Sequence, residues 1–218
     1  IRTMWLFLRT FLFLLDAEDA HTLAKWGIRW MARILPLRPL LVDNPVGLAA
    51  GFDKNAELLE ALPRFGFSSV EIGTVTPLPQ GGNDRPRLFR NTRDSTLFNR
   101  MGFNNLGAGI ISERVRRAKP RIPAGFKVGV NLGKNRSTPD ESAHLDYAKA
   151  AAPFSGLADY FVINVSSPNT PGLRALQTPE HLCLIVKEVK EVIRKSGRQV
   201  PLYVKLAPEL TGEPLRVL

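Results

Sequence analysis

Ser166 and Ser167 stand in the run NVSSPNTPG, Asn164 to Gly172, directly after the apolar stretch YFVI. No histidine, cysteine or acid lies within the run, so a serine doing chemistry here lacks the usual adjacent base. A capped turn closing a strand is the other reading, because Asn, Ser and Pro are turn formers. Polar residues recur at the ends of other β-type runs: Asp53 and Lys54, Thr74 and Thr76, Asn131 and Lys134, and Lys205. Amides supply donors and acceptors together, and lysine supplies a point positive charge. His21, His144 and His181 show no metal-ligand spacing, and no metal site is expected. The lone Cys183, in a run of helical periodicity, reads as a small buried apolar residue and allows no disulfide within the chain.

The elements that must position these groups alternate. Strand-like runs cover Pro45 to Phe52, Ser68 to Pro77, Lys127 to Asn135, Tyr160 to Asn169 and Pro201 to Leu210. Helical runs cover Asn55 to Gly66, Gly107 to Lys119, Ser142 to Gly156 and Pro179 to Gly197. Such alternation implies an α/β protein with parallel strands and helices outside. A (β/α)8 barrel is favoured over a doubly wound sheet. GLAAGF is not the phosphate-loop fingerprint, and polar groups at many strand ends converge in a barrel. About five of eight strands are present, which suggests that the 218 residues belong to a longer protein.

The formal net charge of +10 comes largely from Arg85 to Arg100 and from Arg114 to Arg121. These patches read either as solvated faces or as sites for anionic substrate, phosphate-bearing cofactor or lipid. No zinc-finger, helix-turn-helix or RNA-binding pattern accompanies them, so nucleic acid is not an expected partner.

Residues 1–38 differ in kind from residues 39–218. MWLFLRTFLFLL is too short to span a bilayer, which needs about 20 residues. It resembles a signal-peptide core but lacks a cleavage site, and Met4 could be the true start. Asp16 suits an N-cap. The following segment places Leu23, Trp26, Trp30, Met31 and Ile34 on one face and Lys25, Arg29 and Arg33 on another, with Pro36 and Pro39 ending it. The two helices either pack on the main domain or form a hairpin in the membrane interface. The excess apolar surface of the first favours the membrane.

Six strings in this order, NPVGLAAGFDKN, VEIGTVTPLPQGGNDRPRLFR, NRMGFNNLG, VGVNLGKN, INVSSPNTPGLR and VKLAP, resemble the dihydroorotate dehydrogenases over nearly the whole chain. The resemblance implies a (β/α)8 barrel that binds FMN and oxidises dihydroorotate to orotate in pyrimidine biosynthesis. The helical extension and Ser167 resemble the membrane-associated, quinone-reducing branch rather than the soluble enzymes, which usually carry a catalytic cysteine. Ser167 then looks like the catalytic base, aided by a hydroxyl-and-water relay, with activity rising with pH.

By the same resemblance, Lys54, Asn99, Arg100, Met101, Gly102, Phe103, Asn164 and Asn169 would bind substrate. Ala49, Ala50, Gly51, Phe52, Asp53, Lys54, Thr74, Asn131, Asn164 and Lys205 would serve FMN. His21 and Arg90 would meet a ubiquinone or menaquinone entering between the helices and the barrel. Ser166 is expected to point away from the base position if the strand pleat continues. The implied location is the cytoplasmic face of a bacterial inner membrane, or else the mitochondrial inner membrane. A soluble fumarate- or NAD-linked relative, and a non-catalytic phosphate-binding barrel, remain the rival readings.

Overall fold

The structure of the protein is a computed structural model and describes residues 2–34 and 45–217. Two helices come first, α1 (Arg2–Leu14) and α2 (Ala17–Ile34). Asp16 caps α2 through its Oδ1, which accepts the Glu18 N–H at 2.8 Å. Pro36, Pro39 and the boundary at 38/39 lie outside the described residues.

A five-stranded parallel sheet follows, in the order β1 (Gly47–Leu48), β2 (Ser69–Val75), β5 (Lys127–Leu132), β6 (Tyr160–Asn164) and β7 (Leu202–Lys205). Helices α3 (Ala108–Ala118), α4 (Ala143–Ala151) and α5 (Pro179–Lys195) alternate with these strands, and a short α6 (Glu213–Val217) ends the described chain. Strand side chains alternate between faces. Val70, Ile72, Val128, Val130, Phe161 and Ile163 therefore meet Ile111 and Val115 of α3, Tyr147 of α4 and Ile185 and Val189 of α5 in one core. The other face carries Glu71, Asn131, Tyr160, Asn164, Tyr203 and Lys205. Gly129 is needed there, because a Cβ would enter the Tyr160 ring.

Several expected boundaries shift for local reasons. The strand expected over Pro45 to Phe52 is two residues long, and the chain then turns at Ala50 and Gly51. The helix expected over Asn55 to Gly66 is a series of turns ending in a 3-10 turn, Leu62–Phe65. Ala56 has a left-handed φ of 55°, and Pro63 cannot continue a helix. β6 stops at Asn164 because that side chain folds back to accept the Ser166 N–H at 3.1 Å. Cys183 is exposed on α5 rather than buried.

A hairpin that the sequence reading missed, β3 (Leu88–Asn91) with β4 (Thr96–Asn99), occupies the first basic patch. Its arginines, and those just before it, hold the N-terminal helices. Arg87 grips Glu18 with Nε at 2.9 Å and Nη2 at 2.7 Å, both residues being buried. Arg85 reaches Glu18 at 3.1 Å and Asp19 at 3.0 Å. Arg90 donates to the carbonyls of Leu12, at 3.1 Å, and Leu15, where the α1 dipole is negative, and covers the Phe13 ring at 4.6 Å.

Removing one partner of a buried pair strands the other charge, at about 3–5 kcal/mol. Arg87→Ala should therefore loosen α2: amide exchange should quicken in α2 and not in β2, β5 or β6. The Arg87 hydrogen bond holds the Glu18 carboxyl below the usual carboxylate range, against its desolvation, with Arg85 assisting. Because this pKa is depressed on folding, its contribution is complete above the ordinary carboxylate value. It is lost as pH falls through the lowered one. Exchange in wild-type α2 should rise in that acid window.

Candidate functional site

The C-terminal ends of β2, β5 and β6 bring three buried polar side chains together. Thr74 Oγ1 donates to Asn131 Oδ1 at 2.5 Å. Asn164 Nδ2 donates to Thr74 Oγ1 at 2.9 Å and to Asn131 Oδ1 at 3.1 Å. Asn131 Nδ2 is held by Glu71 Oε1 at 2.7 Å, and the Asn164 carbonyl accepts the Tyr147 hydroxyl at 2.8 Å. Each group satisfies another, which is what allows polar atoms at this depth.

Above this set lies a cavity of about 790 Å³. Ala50, Gly51, Phe52 and Lys54 wall one side, and Asn99, Met101, Gly102 and Phe103 wall another. Ser166, Ser167 and Asn169 come from the loop after β6, and Lys205 from the end of β7. The mouth is lined by Leu12 and Phe13 of α1 and by Ala17, Ala20, His21 and Ala24 of α2. Those three alanines share one face of α2, and their small size leaves the gap between helix and sheet open.

Most of the residues singled out in the sequence meet here, but not all. Asn131 lies beneath the floor rather than on it. Asp53 is fully buried and does not line the cavity. Its carboxylate accepts the N–H groups of Glu57, at 2.7 Å, and Leu58, at 2.8 Å, and burial pushes its pKa up. Ala49 does not line the cavity, and Arg100 turns outward to the Pro86 carbonyl at 2.9 Å. Lys205 is exposed, not enclosed by apolar neighbours, because β7 is the last strand of the described sheet.

The two serines are not separated by the pleat, since β6 ends before them. They differ in hydrogen bonding. Ser166 Oγ donates to Asn164 Oδ1 at 2.9 Å, which commits its proton. Ser167 Oγ instead accepts the Asn169 N–H at 3.2 Å. A donor aimed at an oxygen favours its charged form. Thr170, which the sequence reading passed over, holds the one buried side-chain oxygen without a partner among the described residues. Its place three residues beyond Ser167 was the available signal. Asn104 was missed as well: its Oδ1 accepts from Lys54 Nζ at 2.6 Å.

Lys54 is pushed down to about 8, first by burial and then by the Arg87 charge, with Glu18 opposing. His21 Nε2 donates to the Phe52 carbonyl at 2.9 Å, and the two rings lie 4.6 Å apart. Burial, then Lys25, lowers the His21 pKa, so the ring is neutral with Nδ1 as its acceptor. A planar, amide-bearing ring system fits this donor set. Gly51, at φ 103°, presents bare backbone to open space, since a Cβ there would meet nothing within 4 Å.

A parallel α/β sheet with a cavity at its C-terminal strand ends, carrying polar groups there and apolar walls under two amphipathic helices, defines the class. The family model described as dihydroorotate dehydrogenase matches residues 39–216, and the chain belongs to that family. It is 50% identical over 212 residues to a "Dihydroorotate dehydrogenase (quinone)" of Rhodopseudomonas palustris, covering 91% of this chain and 57% of the relative. A protein of the same name from Thermobifida fusca is 47% identical over 220 residues, covering 92% and 58%. Among solved structures, DHODH from Eimeria tenella in complex with ferulenol superposes with a TM-score of 0.81 at 34% identity, covering 93% of this chain and 62% of that one. The chain thus spans somewhat more than half the length of these relatives.

The depressed Lys54 should be visible directly. Its acylation by an amine reagent, followed by mass spectrometry, should reach half-maximal rate near pH 8, where an ordinary lysine at about 10.4 is still protonated. A half-rise above pH 10 would contradict the geometry.

Proposed function

We propose that the whole protein oxidises dihydroorotate to orotate with FMN as cofactor and passes the electrons to a quinone, ubiquinone or menaquinone. The single observation that carries this reading is the convergence of Ser167, Asn99, Asn169 and Lys54 in one cavity over a floor of Thr74 and Asn164, which Asn131 supports from beneath. The names of the bacterial relatives support the quinone as acceptor.

When bound, FMN supplies the acceptor for a hydride. The protein's own groups then have separate tasks. Lys54 places a positive charge against the substrate carboxylate. Asn99 and Asn169 are coupled, Asn169 Nδ2 lying 3.2 Å from Asn99 Oδ1, and the pair presents amides to the ring's own amide edges. Ser167 Oγ takes the proton from the carbon beside the ring carbonyl as its own hydroxyl proton leaves through water, and the Asn169 N–H steadies the negative charge that this departure places on the oxygen. The Thr170 hydroxyl, three residues on and without a partner among the described residues, would pass the proton onward through water. Asn164 and Lys205 would hold the flavin's polar groups, with Thr74 and Asn131 keeping Asn164 in place. Gly51 and Ala50 let backbone approach its plane.

His21 and Arg90 lie at the mouth between helices and barrel, where a quinone would enter. Neutral His21 offers Nδ1 as an acceptor, and Arg90 a donor beyond its helix contacts. Among the described residues no helix is long and apolar enough to cross a membrane. The exposed Leu6, Phe7, Phe11 and Leu14 of α1, with Trp26 and Trp30 of α2, support a peripheral contact with the lipid surface. The proposed location is the cytoplasmic face of a bacterial inner membrane, in keeping with the bacterial relatives.

Ser167→Ala should lower turnover by about 10²–10⁴-fold with flavin content unchanged, whereas Ser166→Ala should act on flavin retention more than on turnover. Equal turnover in Ser167→Ala and wild type would sink the assignment of the base. The KM for dihydroorotate should rise as pH climbs through about 8, because Lys54 loses its charge there. A KM flat from pH 7 to pH 9 would remove Lys54 from carboxylate binding.

A further inference from the structure

A second cavity, of about 500 Å³, opens between α2, the Leu62–Phe65 turn and α3, and shares no lining residue with the first. Five arginines line it, Arg29, Arg33, Arg64, Arg114 and Arg117, against two glutamates, Glu57 and Glu60. The glutamates are already committed. Glu57 pairs with Lys25 and with Arg114 at 3.3 Å, and Glu60 with Arg121 at 2.9 Å. Arg64 is held by the Ala32 carbonyl at 2.7 Å, and Arg117 by Glu113 at 2.8 Å. Arg29 and Arg33, one turn apart on α2, make no hydrogen bond or ion pair among the described residues. Arg29 bears on Glu57 only through space, so two guanidinium forks face a cavity whose acids are already paired and outnumbered, which is a setting for phosphate.

A second observation identifies the source of that phosphate. Trp26 and Trp30 stack on the same helix with centroids 6.4 Å apart, and are 63% and 51% exposed. At about 100° per residue, Arg33 falls on α2 between Arg29 and this pair, so the charged and aromatic faces adjoin. Tryptophan belongs at the membrane–water interface, and arginine reaches headgroups. A free anion would use the arginines and leave the tryptophans in water, whereas a lipid uses both. We propose that this crevice holds the phosphate of an anionic lipid headgroup, with Arg29 and Arg33 as its ligands and the lipid's chains against Trp26 and Trp30. The proposal rests on the membrane-surface reading above and names the lipid class that surface selects.

The test is co-sedimentation of the whole protein with phosphatidylcholine vesicles and with vesicles that also contain phosphatidylglycerol, at fixed ionic strength. The variant is Arg29→Gln with Arg33→Gln. The control is Arg116→Gln with Arg194→Gln, which removes equal charge from exposed sites outside the cavity. Wild type should prefer the anionic vesicles, and the cavity variant should lose about tenfold or more of that preference. The control should lose much less, and binding to neutral vesicles should be unchanged in all three. Equal losses in variant and control would mean diffuse surface charge and overturn the site. Equal wild-type binding to both vesicle types would overturn the headgroup site alone, and binding to neither would overturn the membrane-surface reading with it. Calorimetric binding of inorganic phosphate that depends on Arg29 and Arg33, without a preference for anionic vesicles, would overturn the lipid assignment. Should melting show the glutamine variant misfolded, Arg29→Lys with Arg33→Lys is read instead. It keeps the charge and loses the fork, so a weakened preference supports the site and an unchanged one overturns it.

Discussion

Buried polar atoms must be satisfied, and the sheet's upper edge is organised by that requirement. Thr74, Asn131 and Asn164 come from three neighbouring strands of the sheet and are buried, so they bind one another. Glu71 fixes which way the Asn131 amide points, because a carboxylate oxygen can only receive its Nδ2. With Asn131 fixed, its Oδ1 must accept from Thr74 and Asn164, and the Asn164 Oδ1 is left to turn the chain at Ser166. That turn ends β6 and delivers Ser167 and Asn169 to the cavity. A change in any one amide would propagate to the loop carrying the proposed base.

The helices are joined to this framework by charge rather than by apolar packing alone. Glu18 is buried and would be costly without Arg87. Arg90 completes the attachment by accepting no one's charge and instead capping α1. These contacts place His21 and the alanine face of α2 over the cavity while the apolar faces of α1 and α2 stay outward. The same helix thus lines the cavity on one side and presents Trp26 and Trp30 on another.

The parallel α/β alternation, the strand ends and the clustering of Lys54, Asn164, Ser167 and Lys205 were legible because type and spacing report directly on period and turn chemistry. What was not legible depended on distant partners. The Arg85 to Arg100 run looks like a free basic patch until Glu18, far away in sequence, is placed against Arg87. The β3–β4 hairpin hid within that run, since its arginines masked a short alternation. Asp53 carries the type of a ligand but caps a turn, which only its N–H partners reveal. Cys183 has helical spacing on a face that spacing alone cannot orient. Lys205 was expected at a strand end serving the flavin, and it lies at the end of the last strand of the described sheet, exposed.

In the proposed function one cavity receives reducing equivalents from dihydroorotate and releases them to a quinone. The direct measurement is a pair of anaerobic half-reactions on the whole, flavin-loaded protein. Dihydroorotate should bleach the flavin absorbance, and a short-chain ubiquinone should restore it much faster than fumarate or NAD. A flavin that dihydroorotate leaves oxidised, or one restored by fumarate or NAD in preference to the quinone, would contradict the account.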